Sequence, residues 1–188
     1  MFSPQTEWTP PDELKDLSNA KQIAIDLETR DPNLTTIGSG SVRKDGEIVG
    51  IAVAVDGWSG YYPIAHEGGG NIDKKITMDW FKDVLQTPAT KIFHNAMYDV
   101  SWIRSEGLSI NGRIVDTMIA ASLVNENRLR YNLDSLAKEY VGMGKSEKLL
   151  FDAAKEWGVN PKKEMWRLPA MHVGEYAEQD AVATLKLW

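Results

Sequence analysis

Three short segments carry the residue types from which chemistry can be built: Asp26-Leu27-Glu28, His94-Asn95-Ala96-Met97-Tyr98-Asp99, and Tyr176-Ala177-Glu178-Gln179-Asp180. In the first, two carboxylates stand two residues apart at the end of Ile23-Ala24-Ile25-Asp26-Leu27, an alternating run that reads as a strand. Residues two apart on a strand share a face. Both acids therefore leave its C-terminal end on one side, where open α/β sheets place their ligands. They repel each other unless a cation lies between them, and an aspartate closing an apolar run is costly without a partner. The spacing alone is not specific, because Asp45-Gly46-Glu47 repeats it in what reads as a solvated hairpin turn. In the second segment Asp99 falls in the first turn of a helix that follows the short strand Ile92-Phe93. A negative charge is favoured there, and Asn95 is a capping type. If that strand lies beside the first, Asp99 faces Asp26 and Glu28 across the sheet edge. In the third, Tyr176 and Asp180 are four apart and share a helix face; His172 would extend it by a turn, while Glu175 and Glu178 point elsewhere as surface charges.

Singly, each segment has a plain structural reading. Together, Asp26, Glu28, Asp99 and Asp180 form an oxygen-only set of the kind that hard divalent cations, Mg²⁺ or Mn²⁺, prefer. Two such ions about 3.5–4 Å apart clamp the attacking and leaving oxygens of a phosphodiester. The chain has no cysteine, which excludes disulfides and thiolate metal sites. His66, His94 and His172 lack zinc spacing. Gly144-Lys145-Ser146 resembles the end of a phosphate-binding loop, but Glu139 stands where that motif needs its first glycine, which rejects it. Most of the seven tryptophans, Trp80 and Trp102 among them, read as core.

The order Asp-x-Glu, Asn-x-x-Tyr-Asp, Tyr-x-x-x-Asp resembles the three exonuclease motifs of the DEDD superfamily, tyrosine subtype; Glu175 stands where the histidine subtype carries its histidine. Asp116-Thr117-Met118 and Asn132-Leu133-Asp134-Ser135-Leu136-Ala137 are similar to segments of polymerase-I-like enzymes, phage types above all. The resemblance runs through most of the chain. It implies a ribonuclease-H-like α/β fold, a five-stranded mixed sheet flanked by helices, and a proofreading 3′→5′ exonuclease that releases 5′-mononucleotides from DNA. Carried over by position, Asp26 would bridge two cations, Glu28 and Asp180 would complete the tighter site, and Asp99 would hold the second ion largely through water. Tyr176 would orient the attacking water with Glu28. Thr29 and Asn95 would touch the terminal nucleotide, and Leu34 and Phe151 would pack on the last bases. The implied partners are a single-stranded or frayed DNA 3′ end and a polymerase domain in the same natural chain. A ribonuclease-D-like enzyme shares these motifs, and a catalytically silent support domain is the reading outside enzymes.

The elements that must position these residues follow from pattern. Glu47 to Val55 and Tyr61 to Ile64 read as the second and third strands, close enough in sequence to be antiparallel neighbours of the first. Lys91 to Phe93 and Ile114 to Asp116 are reached through helical crossovers and should be parallel. Helices are expected over Thr77 to Leu85, Tyr98 to Glu106 and Thr117 to Val124, with a short one opened by Thr9-Pro10-Pro11. From Leu133 the pattern is helical, broken at Gly142-Met143-Gly144 and Asn160-Pro161, with Pro169 opening a last helix to Trp188. At 188 residues, 43% hydrophobic and 26% charged, the chain suits one globular domain, residues 1–188, with 1–20 as a lead-in segment. It shows no signal peptide and no apolar run of membrane length, so a cytoplasmic monomer is expected. A net charge of −6 argues against a broad basic track for nucleic acid, so another domain should supply most of the grip on DNA.

Overall fold

A computed structural model describes residues 6–144 and 147–188. The first five residues, and Lys145 and Ser146 of the rejected phosphate-loop resemblance, lie outside the described residues. Five strands form one sheet: β1 (Gln22–Arg30), β2 (Glu47–Val55), β3 (Trp58–Pro63), β4 (Thr90–Phe93) and β5 (Ile114–Asp116). Their order is β3-β2-β1-β4-β5. The first three pair antiparallel and the last two run parallel to β1, as expected from the sequence. No helix among the described residues is long and apolar enough to cross a membrane.

The two faces of the sheet differ in side-chain size. On one, Ile23, Ile25, Leu27, Val53, Tyr62 and Phe93 meet α3 (Lys74–Gln86) and α4 (Ala96–Ser105) through Phe81, Leu85, Trp102 and Ile103. The other is lined by small residues, with Ala24, Ala52 and Ala54 facing Ala177 and Ala181 of α8 (Gly174–Leu187). Small residues on both surfaces let this helix lie close across β1, β2 and β3. Period-two alternation sends Asp26 and Glu28 to the same face, where they pair in register with Ala52 and Gly50. Gly50 has a specific reason to lack a side chain: a Cβ there would stand 2.0 Å from the hydroxyl of Tyr61.

Four expectations need correction. Residues 9–14 form no helix. A single proline-led turn is too short to hold itself together, and the lead-in is instead tied to the sheet, with the Lys15 amide donating to Tyr62 Oη and the Trp80 indole donating to the Lys15 carbonyl. Asp45-Gly46-Glu47 is no hairpin turn. It ends a connection holding α1 (Leu34–Ile37) and α2 (Gly40–Arg43), and its acids pair with Arg43 and Lys74 at 2.9 Å each. Pro169 does not open the last helix. A 3₁₀ turn, Ala170–His172, precedes α8. The break fits the neighbours: the Ala170 amide is held by the Gly69 carbonyl, and a Cβ on Gly174 would meet the Trp8 indole at 2.0 Å. Glu178 is no surface charge. It is half-buried and accepts from the Trp8 indole at 2.8 Å.

The packing of Tyr61 over Gly50 is testable. Gly50→Ala is expected to overpack this face and cost about 1–3 kcal/mol, read as a lower urea midpoint. An unchanged midpoint would show that the Tyr61 ring has room to give.

Candidate active site

β1 and β4 pair over Gln22–Ala24 only. Beyond that point β1 runs on, and the gap at its edge is filled from α4. The Leu27 amide donates to Asp99 Oδ1 at 3.0 Å, which fixes the helix carboxylate between the flanking Asp26 and Glu28. Asp99, Tyr176 and Asp180 are buried, at 4%, 8% and 6% exposure, and Asp26 and Glu28 are half-buried. Charge this close and this dry shifts proton affinities. Burial first, then Asp26 and Glu28, push Asp99 well above the ordinary carboxylate range, against the pull of the Leu27 amide. Burial, followed by Asp180, Glu28 and Asp26, raises Tyr176, whose hydroxyl is hydrogen-bonded to Asp180. Burial, Glu28 and Asp26 likewise raise Tyr61. The three motifs therefore share one field, in which burial and neighbouring negative charge both favour the protonated forms of Asp99 and Tyr176.

Such a set suits divalent cations, which would relieve that crowding with oxygen ligands. Among the described residues, no three acidic or histidine side chains are grouped tightly enough to hold an ion as they stand, so binding would draw the carboxylates inward.

The supports are specific. Asp116, at the end of β5, accepts from the amides of Asn95 (3.0 Å) and Ala96 (2.8 Å) at the start of α4 and from Met118 (2.9 Å) at the start of α5 (Thr117–Val124). One carboxylate thus caps two helices and anchors the turn that carries Asp99. Asn95 takes a left-handed conformation, φ 68°, tolerated by Asn better than by most residues. It stands at the N-cap position but its side chain caps nothing. Thr29 Oγ1 lies 2.7 Å from Tyr98 Oη, which donates to Asp31 at 3.2 Å; burial leads in pushing Tyr98 up to about 12. Leu34 on α1 and Phe151 on α7 (Lys148–Trp157) are each 40% exposed. Behind the site, Tyr61 Oη lies 2.6 Å from His66 Nε2, and His66 Nδ1 lies 3.0 Å from the Leu168 carbonyl. A carbonyl can only accept, so Nδ1 carries the proton and Nε2 receives the tyrosine hydroxyl.

Asp116, Tyr61 and His66 were not singled out as site residues from sequence. Only Asp116 had a visible signal, an aspartate where a strand passes into a helix.

With this geometry in place, three comparisons bear on the chain. The family described as 3′-5′ exonuclease matches residues 2–188. A DNA-directed DNA polymerase of Pseudomonas phage M6 is 36% identical over 97% of this chain and 28% of its own length. The DNA polymerase DpoZ of Salmonella phage PMBT28 is 30% identical over 92% of this chain and 26% of its own. The chain thus spans about a quarter of these relatives. Among solved structures, Trypanosoma brucei RNase D superposes with a TM-score of 0.64 at 18% identity, covering 91% of this chain and 57% of that one; a likeness at that identity concerns the fold.

The His66 contacts imply a pH dependence of stability. Burial drives His66 down to about 4 from an ordinary 6.5, so between those values the unfolded chain binds the extra proton. The contribution of neutral His66 is full above about pH 6.5 and is lost as pH falls towards 4, amounting to roughly 3 kcal/mol. Urea unfolding across this range should show the slope, and His66→Gln should flatten it. An equal slope in the variant would refute His66 as its source.

Proposed function

The chain belongs to the 3′–5′ exonuclease family of polymerase-I-like enzymes, and from that premise we propose that it removes nucleotides from DNA 3′ ends by hydrolysis assisted by two Mg²⁺ or Mn²⁺ ions. The observation that carries this reading is the Leu27–Asp99 hydrogen bond, which brings the second motif against the first where β1 leaves β4. Asp26, Glu28, Asp99 and Asp180 would hold the ions. Bound there, such ions make hydroxide available near neutral pH and offset charge on the scissile phosphate. Burial first, then Asp180, Glu28 and Asp26, raise the proton affinity of Tyr176, and its hydroxyl orients the attacking water by hydrogen bonding. Glu28 accepts the water's other hydrogen. Asn95, with its side chain uncommitted to capping, and Thr29, braced by Tyr98, contact the terminal nucleotide; Leu34 and Phe151 offer exposed apolar surface to the last bases.

The relatives are polymerases that extend well past the matched region. With a net charge of −6, the domain depends on a polymerase domain for most of its DNA affinity. The fold is shared with an RNase D, while the polymerase relatives favour DNA; a primer ending in a single ribonucleotide separates the two substrates.

Asp26→Ala should abolish nearly all cleavage. Tyr176→Phe should slow it by roughly 10- to 100-fold, at or below the lower end of what a proton-transferring group contributes because the hydroxyl only orients the water, and should keep the stabilisation by Mn²⁺. At a hundredfold excess over its dissociation constant, an ion that binds only the folded state adds about 2.7 kcal/mol; each kcal/mol raises Tm by roughly 2–4 °C in a chain of this size. A melting curve unmoved by millimolar Mn²⁺, or equal inactivity of the two variants with loss of the Mn²⁺ effect in both, would overturn these roles.

Proofreading also predicts a preference. A mismatched 3′ terminus should be degraded faster than a paired one, since less unpairing is needed before the end can enter. Equal rates on the two primers, or release from the 5′ end, would contradict it.

A further inference from the structure

In the connection between α7 and α8, one cation reaches the site. Lys162 Nζ lies 3.5 Å from Tyr176 Oη, 5.1 Å from the Tyr176 ring centre and 5.8 Å from that of Phe151. Its partner is Glu147, at 2.5 Å. The backbone around it is fixed by Asn160, whose side-chain oxygen accepts from the amides of Lys162 (3.0 Å) and Lys163 (2.9 Å). The lysine thus spans the hydroxyl assigned to the attacking water and the ring assigned to a terminal base, in a chain whose net charge is negative.

We propose that Lys162 is a further catalytic residue, exchanging Glu147 for a non-bridging oxygen of the scissile phosphate when substrate enters. The inference rests on the exonuclease reading and deepens it. A water hydrogen-bonded to Tyr176 and poised for attack lies about 3–3.5 Å from phosphorus. An ammonium 3.5 Å from the same hydroxyl, on a flexible four-carbon stem, has the phosphate oxygens within reach. The Glu147 pair is solvent-exposed, with side chains 46% and 30% accessible, and such a pair is easily exchanged. Lys162 transfers no proton in the step. The water oxygen bonds to phosphorus, the bond to the 3′ oxygen of the penultimate nucleotide breaks, and the proton lost by the water and the one gained by that oxygen pass through solvent.

The test is a kinetic cycle on single-stranded DNA with Lys162→Met, which keeps an apolar stem over both rings, Lys162→Arg, which keeps the charge, and Tyr176→Phe. Lys162→Met should lower kcat about tenfold or more with little change in KM, in Tm or in the Mn²⁺-induced rise in Tm. Lys162→Arg should restore most of the rate. In the Tyr176→Phe background, Lys162→Met should cost the same factor, because a contact to phosphate does not run through the tyrosine hydroxyl. If the loss vanishes in that background, Lys162 acts only by placing Tyr176, and the proposal falls. An active chain indifferent to Lys162→Met also overturns it, leaving the exonuclease reading intact; an unmodified chain that degrades no 3′ end sinks both.

Discussion

The hydrogen bond from the Leu27 amide to Asp99 joins sheet to helix where β1 runs on beyond its pairing with β4. A neighbouring strand would ordinarily occupy that edge of β1. A carboxylate takes its place, and because Leu27 lies between Asp26 and Glu28, the bond sets three acids in fixed relation. It also opposes the forces that would neutralise Asp99, since an amide donor favours the anion while burial and the adjacent acids favour the protonated form. Asp116 holds the other end of the arrangement by gripping the first amides of α4. Asp99 is therefore held beside the acids of β1 by the Leu27 amide, and the helix that carries it is held by Asp116.

The rest of the fold serves that restraint. The face with large side chains builds an ordinary core with α3 and α4. The face with Ala24, Ala52 and Ala54 is kept shallow so that α8 can bring Tyr176 and Asp180 down to the level of Asp26 and Glu28. Tyr61 exploits the same shallowness from the far strand, over Gly50, and ties the sheet through His66 to the Leu168 carbonyl just ahead of α8. Tyr98 does a similar service for the turn after β1, joining Thr29 to Asp31.

Much of this was legible in the sequence, for reasons that are local. Alternation in Ile23–Leu27, the apolar runs of the later strands and the short link between the second and third fix most strand positions and directions. The spacing of Asp26 with Glu28 and of Tyr176 with Asp180 fixes which side chains share a face. What stayed hidden depends on segments distant in sequence. The double cap by Asp116 needs the starts of α4 and α5 to meet. The burial of Glu178 needs Trp8, and the absence of a helix at residues 9–14 reflects bonds to Tyr62 and Trp80 that no local propensity encodes. Asp45-Gly46-Glu47 misled because two acids around a glycine look like a turn wherever they occur; its ion pairs come from Arg43 and Lys74.

The Trp8–Gly174 contact has a consequence for how the molecule is made. Trp8 fills the space a side chain at residue 174 would occupy, and its indole binds Glu178, 170 positions further along. During synthesis Trp8 leaves the ribosome roughly 10–30 s before its socket does, at common elongation rates of 5–20 residues per second. Over that interval Asp26 and Glu28 sit on a strand whose small-residue face is still uncovered by α8. A nascent chain therefore carries half of the acidic cluster without the helix that completes it, and the clasp between Trp8 and α8 closes only once α8 has emerged.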